Sequence, residues 1–368
     1  MLKDVLNRVE GQLSLELPFV IYRKPNAQEV HAILQKDAEL HHVRDFSEKG
    51  FVFAPFNVES PTILLPLHEQ LKADFVKEKL PKGLSVNEQK EAGEEKAHHV
   101  QIVRQGILEI GKGTFDKVVL SRKQEVACAN SPLAIFQRLL NTYDRAFCYL
   151  WYHPKVGMWL GATPEILLRT SNNSLTTMSL AGTKAFIEGE QPVWGQKELE
   201  EQRMVTEYIN KALQDKVTGI RQSEVESSKA GNLWHLRTKI TAVFQNNLSS
   251  IIRALHPTPA VCGMPLLPAK NFIGEFEQYD REYYTGFLGE LNFKQEVSRV
   301  RSQRNQENKS YKTIKTATEL FVNLRCMKFT DAKATVFVGG GITKDSDPLK
   351  EWQETVAKSN TILQVITD

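Results

Sequence analysis

Residues 256–292, HPTPAVCGMPLLPAKNFIGEFEQYDREYYTGFLGELN, restrict the possible folds more than any other stretch of the chain. Pro257, Pro259, Pro265 and Pro268 fix φ and remove backbone donors, so no continuous helix can run through it. Gly263, Gly274, Gly286 and Gly289 permit tight bends or close backbone approach. Between them stand His256, Glu275, Asp280, Arg281 and the Tyr283–Tyr284 pair, and a strand is predicted over 285–293. Such a segment reads either as one wall of a substrate site or as an irregular, well-packed loop.

The rest of the chain is long enough to support this segment with a large core. It has 368 residues, 41% hydrophobic and 25% charged, the balance of an ordinary soluble protein. A formal net charge of +3 gives no reason to expect nucleic acid and leaves room for a small anionic substrate. Cys128, Cys148, Cys262 and Cys326 have no paired spacing, which reads as reduced thiols rather than a disulfide framework or a zinc site. The opening MLKDVLNRVEGQ lacks an apolar signal region, and no apolar run approaches membrane-spanning length. The expectation is a cytoplasmic protein without membrane or nucleic-acid partners, and monomeric by default.

Residues 1–70 read as a β-rich lead-in, with apolar runs at 15–23, 51–56 and 62–67. Residues 71–99 read as a charged connector with some helix. The division is therefore 1–95 as lead-in and connector, part of the same fold, and 96–368 as the catalytic core. His41–His42 and His98–His99 read as surface pairs, since adjacent residues of a helix or strand point in different directions. A helix is predicted over 99–111; a GxxxxGK match sits at its end, rejected because Gly113 follows the lysine and no strand precedes it.

DKVVLSR (116–122) reads as a strand, with Lys117 either at a solvent-facing edge or buried as a base. Ser131–Pro132 opens a helix as N-cap and first helical residue. Segments 148–154, 157–169 and 174–183 read as one strand meander. Its Glu165, after Pro164, is either a turn residue in water or a carboxylic acid in apolar surroundings. NLWHLRTKITAVF (232–244) reads as a strand on which His235 is structural or lines a site. Residues 294–319 read as an exposed polar excursion, with only Tyr311 able to stack a base, and LFVNLRCMKF (320–329) as a core strand interrupted by Arg325. A buried Arg325 needs an anionic partner, either a bound carboxylate or a structural acid.

Helices are also predicted over 195–216 and after Asp347, with Asp347 as N-cap. The first carries Glu198 and Glu201, the second Glu351 and Glu354, each pair three apart and hence on one helical face. Such pairs are common on solvated helices. Should the two faces meet, four carboxylates would need a cation, and hard oxygen ligands suit Mg²⁺.

In order, DKVVLSR, LGATPEILL, LAGT, HPTPAVCGMP, ExxxRxYYTGFLGELN, LFVNLRCM, VGGGI and EWQET resemble the chorismate-utilising enzymes, which include anthranilate, aminodeoxychorismate, salicylate and isochorismate synthases. The likeness runs from about His99 to the C-terminus. It implies an α+β fold: a single large domain of two packed antiparallel sheets, helices outside, with the active site in the cleft between. It implies Mg²⁺ held directly by Glu201 and Glu354, with Glu198 and Glu351 acting through water or in support. Lys117 matches the base that activates water, and Glu165 the acid that helps a ring hydroxyl leave. His235 matches a residue lining the pocket. Tyr284 and Arg325 match groups that bind the enolpyruvyl carboxylate, and Lys358 one near the metal-bound carboxylate. Gly182, Thr183, Gly339, Gly340 and Gly341 match positions where backbone approaches the substrate.

Within that family the SLAGT segment places Ala181 where aminodeoxychorismate synthases carry a nucleophilic lysine. Ala260 stands where anthranilate and salicylate synthases usually have threonine. The resemblance is therefore to isochorismate synthases: an isomerase that adds water at C2 of chorismate and expels the C4 hydroxyl, feeding menaquinone biosynthesis in preference to a siderophore. Salicylate synthase is the alternative, and a non-catalytic chorismate-binding subunit is a third reading.

Overall fold

The computed structural model describes residues 1–78, 93–230, 233–245, 247–298 and 312–366. Two antiparallel sheets carry the architecture. In chain numbering, the nine-stranded sheet runs Gly263–Met264, Lys117–Ala127, Lys333–Ile342, Cys326–Thr330, Gly157–Thr163, Phe147–His153, Phe19–Arg23, Glu29–Leu34 and Glu69–Asp74. The ten-stranded sheet runs Val217–Gln222, Leu233–Phe244, Ser174–Ala185, Ile166–Ser171, Lys312–Val322, Phe287–Ser298, Gly50–Ala54, Ile63–Pro66 and His41–His42, with Glu226–Ala230 paired beside Leu233–Phe244.

The sheets face each other across an aromatic core. Val20, Tyr22, Tyr149, Trp151, Trp159 and Phe337 of one meet Phe51, Phe53, Leu288 and Phe321 of the other. Each sheet is covered outside by helices. Leu2–Ser14, Pro132–Thr142 and Pro348–Ile366 bury Val9, Phe136, Leu139 and Ile362 against Phe19, Ile21, Leu150 and Leu160. Gln196–Leu213 and Leu248–Leu255 bury Val205, Ile209, Ile251 and Leu255 against Leu168, Leu175, Ile240 and Leu320. Alternate residues of Phe19–Arg23 thus serve two cores, and all five are buried. That double burial is why these strands read as continuous apolar runs rather than as an alternation. The α+β, two-sheet architecture is the one the family resemblance implies.

Several local expectations change. The lead-in is not purely β: Leu2–Ser14 is an amphipathic helix that buries Val5 and Val9. Residues 71–74 continue a strand, 75–78 are irregular, 93–99 belong to the helix Gly93–Gly111, and 79–92 lie outside the described residues. His99 is buried against Trp352, not on the surface. Within 256–292 the prolines do prevent a continuous helix, yet Leu266–Phe276 is helical, with Pro268 in its first turn, where a missing N–H costs no helical hydrogen bond. The polar excursion shortens to a hairpin of Phe287–Ser298 with Lys312–Val322. Its remaining residues, Tyr311 among them, lie outside the described ones.

Two corrections matter for the site. Residues 148–183 are not one meander. Phe147–His153 and Gly157–Thr163 form a hairpin in the first sheet, and the chain then crosses at Pro164–Glu165 to pair Ile166–Ser171 with Ser174–Ala185 in the second. Likewise 320–329 is not one strand. Lys312–Val322 ends in the second sheet, and after Arg325 the chain enters Cys326–Thr330 in the first.

Candidate active site

The two crossings lie side by side. Val322 N donates to Glu165 O at 3.0 Å, and Ala162 N donates to Arg325 O at 3.1 Å. The Thr163 hydroxyl donates to Val322 O at 2.6 Å and accepts from Glu165 N at 3.3 Å. A carboxyl group and a guanidinium are thereby fixed at the seam between the sheets, and both line one cleft. Its other walls are Val119, Leu180, Ala181, Gly182, Thr183, Glu201, His235, Ala260, Val261, Tyr284, Phe337, Gly339, Gly340, Gly341, Glu354 and Lys358. These come from both sheets, two helices and the 256–292 segment, so that segment is a wall of the cleft.

Glu165 is 4% exposed. Burial pushes its carboxyl up to about 7, against the opposing pull of Lys117, Arg325 and Lys358. His235 is held neutral: burial, then the Arg325 charge, lowers it to about 3. Its Nδ1 faces Gly182 O at 3.1 Å and Thr183 Oγ1 at 3.4 Å, while Nε2 faces Arg325 Nη2 at 3.0 Å. With the proton on Nδ1 the ring donates to Gly182 and accepts from Arg325, which orients the guanidinium. Arg325 is half-buried, and burial lowers its affinity for a proton. Such a guanidinium favours a planar anion that can take two hydrogen bonds at once.

Lys117 is not an edge residue. Its strand lies between Lys333–Ile342 and Gly263–Met264, and it is 0% exposed. Nζ donates to Glu201 Oε1 at 2.8 Å. Two further lysines repeat the motif: Lys197 Nζ lies 2.6 Å from Glu351 Oε1, and Lys358 Nζ lies 2.7 Å from Glu354 Oε1. Lys358 also donates to Gly339 O at 2.9 Å.

The two helices bring their glutamates to one place, the glycine run of Lys333–Ile342. A methyl on Gly341 would lie 2.6 Å from Glu201 Oε1 and 3.0 Å from Lys117 Cε. One on Gly340 would lie 3.4 Å from Glu351 Oε2 and 3.9 Å from Glu354 Oε1. At Gly341 the space of a side chain is taken by functional groups, whereas a methyl on Gly340 would make ordinary contact with them.

Glu351 is buried, its Oε2 has no hydrogen-bond partner, and burial together with Glu354 raises its carboxyl. Glu201 is pulled the other way: burial raises it, but Lys117 together with Lys358 and Lys197 holds it below the usual carboxylate range. Three converging carboxylates, one with an unpartnered buried oxygen, are a donor set suited to a hard divalent cation. Each of the three is paired with a lysine. Among the described residues, the ready-made three-ligand cluster is elsewhere, at Asp37, Glu39 and His41, and is largely exposed. Glu198 is placed differently from the other three. It packs beside Gly182, and its Oε2 accepts from Gly195 N at 2.8 Å, capping its own helix.

The sequence reading missed Lys197. A lysine next to a glutamate in a helical first turn is ordinary, and only the fold shows that it reaches a glutamate of another helix. It also missed the apolar walls Val119, Leu180 and Phe337, whose residue types carry no chemical signal.

Residues 62–311 match a family model described as chorismate binding enzyme, and residues 311–364 match a second model of the same description. The chain is similar to the isochorismate synthase MenF of Haemophilus influenzae, 29% identical over 72% of this chain and 60% of that protein. It is equally similar to the isochorismate synthase EntC of Escherichia coli, 29% identical over 68% of this chain and 62% of that one. The chain thus spans about three fifths of the length of these relatives. Its fold is also that of the menaquinone-specific isochorismate synthase MenF of E. coli, with a TM-score of 0.73 at 22% identity, covering 95% of this chain and 89% of that one.

Proposed function

The chain belongs to the chorismate-binding enzyme family, and from that premise we propose that it is an isochorismate synthase. The observation that carries this is the buried acid at the seam. Glu165 keeps its proton to about pH 7, beside an arginine suited to a carboxylate and near the buried Lys117. A dianionic ring substrate places one carboxylate on Arg325, oriented by His235, with Tyr284 beside it. Val119, Phe337 and Leu180 offer apolar contact to the ring and keep bulk water off it. Lys117 serves as the base for the water that attacks C2. The ring double bonds shift, and Glu165 gives its proton to the C4 hydroxyl as it leaves as water. One water enters and one departs, so no redox or organic cofactor is needed.

In this reading Glu201 and Glu354 hold Mg²⁺, with Glu351 and Glu198 in support. Bound there, the ion supplies charge neutralisation and orientation for the second carboxylate. Lys358, tied to Gly339 O and Glu354, sits where it can face that carboxylate. For the pathway we take menaquinone biosynthesis, the specificity named for the E. coli MenF whose fold this chain shares.

The test is incubation with chorismate and Mg²⁺, without ammonia or glutamine, followed by chromatography and an EDTA control. Isochorismate in equilibrium with chorismate, lost on chelation, is the expected result. Salicylate and pyruvate in enzyme-dependent amounts would move the assignment to a synthase–lyase. Unchanged chorismate would overturn it.

A further inference from the structure

One buried ion pair behind the cleft has no role in the chemistry above. Glu277 ends the helix Leu266–Phe276, Arg281 follows four residues later, and both side chains are sealed from solvent. All five guanidinium N–H groups are committed. Nε donates to Glu277 Oε2 at 2.8 Å and Nη2 to Glu277 Oε1. Nη2 also donates to Val119 O at 2.7 Å, and Nη1 donates to Val261 O at 2.8 Å and to Thr285 Oγ1 at 3.4 Å. Glu277 Oε1 accepts in turn from Ser121 N at 2.7 Å and Ser121 Oγ at 2.9 Å. Arg281 O accepts from Tyr284 N at 2.8 Å.

These partners are three walls of one cleft. Val119 and Ser121 belong to the strand that carries Lys117, Val261 follows Ala260, and Tyr284–Thr285 lead into Phe287–Ser298. Besides the fork, the first two walls are joined by Val119 N donating to Cys262 O at 2.8 Å and Asp116 N donating to Met264 O at 2.7 Å. Gly263–Met264 is only two residues long, and it pairs with Val118 and Lys117. A buried ion pair is a costly means of stability, since desolvation offsets most of its attraction. Five donors in a rigid plane, however, fix directions that no apolar side chain or lysine can reproduce.

We propose that Glu277 and Arg281 are positioning residues: their hydrogen-bonded fork sets the distance of Lys117 from the Ala260 and Tyr284 walls, and so governs turnover rather than substrate affinity. The inference rests on the isochorismate synthase reading. The charged anchors of the substrate under that reading, Arg325 and Glu354, lie outside the network; of the groups within it, Tyr284 and Val119 border the substrate, and affinity depends on the fork only through them.

The test compares kcat and KM for chorismate at saturating Mg²⁺ in the wild type, Arg281→Lys and Glu277→Gln, with folding followed by circular dichroism and thermal unfolding. Lysine keeps the charge but cannot reach the carboxylate and two carbonyls in fixed directions. A displacement on the order of 1 Å at a reacting group costs about 100-fold in rate. Arg281→Lys is therefore expected to lose roughly that factor in kcat, with KM within about threefold of wild type. Glu277→Gln, which keeps the shape and loses one acceptor, should fall between. Should Arg281→Lys not fold, Glu277→Gln is judged on the same split. A kcat per folded molecule within twofold of wild type, or a KM that rises in step with the fall in kcat, overturns the inference. A wild-type protein that leaves chorismate unchanged overturns the functional reading beneath it, an outcome separate from either.

Discussion

Glu165 shows how a single side chain can cost the fold what it gives the site. Its carboxyl titrates at about 7 in the native state against 4.5 for an ordinary glutamate. Below pH 4.5 both states are protonated and nothing is lost. Between 4.5 and 7 the unfolded state ionises first, and stability falls by on the order of 3 kcal/mol before levelling off. Glu165→Gln is thus expected to raise the denaturation midpoint at pH 8 and leave it unchanged at pH 4. The same variant should lose about 100-fold or more in kcat. It should also lose the decline of kcat/KM above about pH 7 that the wild type shows as its acid ionises.

Lys197 is the second case. Burial lowers its pKa, yet the charge and hydrogen bond of Glu351, with Glu201 and Glu354, raise it on balance, so the ammonium is an internal counter-ion to the cluster. Lys197→Gln removes a competitor for Glu351, and Mg²⁺ should bind about tenfold more tightly, as read by calorimetry or by the Mg²⁺ dependence of thermal unfolding. Weaker binding would mean that the lysine holds the carboxylate in place. Lys117 and Glu165 could be singled out in the sequence because ionisable groups stood out in apolar strands. Lys197 could not, because its partner lies 154 residues away.

At the scale of elements, the glycine run of Lys333–Ile342 and the short strand at Gly263 make a useful contrast. Gly341 has no positive φ, and an alanine methyl there would meet Glu201 Oε1 and Lys117 Cε, both functional atoms. Gly263 sits at φ 144°, and its methyl would meet Lys117 O at 2.3 Å. Gly341→Ala is expected to leave thermal unfolding within a few degrees of wild type while abolishing turnover. Gly263→Ala should lower the unfolding midpoint itself. Unfolding scans beside the chorismate assay separate the two. The elements most visible in the sequence were the capped helices. Ser131 does cap Pro132–Thr142, and Asp347 Oδ1 accepts from the backbone N–H of Leu349 and Lys350. The least visible were the crossings at Glu165 and Arg325. Strands buried on both faces lose the alternation that would mark where one ends, so 157–169 and 320–329 each looked unbroken.

For the whole molecule, the facing sheets meet through large aromatic side chains, and Trp159 is central among them. It is fully buried against Phe53 and Phe337, and its indole N–H has no partner. Trp159→Ala should cost about 3–5 kcal/mol through the cavity it leaves. Trp159→Phe discards an unsatisfied donor along with some volume, and should cost distinctly less. Denaturant titration of both variants checks this. The two-sheet architecture came from the resemblance of ordered motifs, not from periodicity, because strand order across 368 residues is set by long-range pairing that no local window records. Both crossings step across the same interval, from one sheet to the other. The span between Glu165 and Arg325, the proposed proton donor and carboxylate anchor, is therefore ruled by the thickness of the aromatic layer, as the gap of a calliper is ruled by its frame. Substitutions far from the cleft that thin or swell that layer would retune the reaction without touching a single group that performs it.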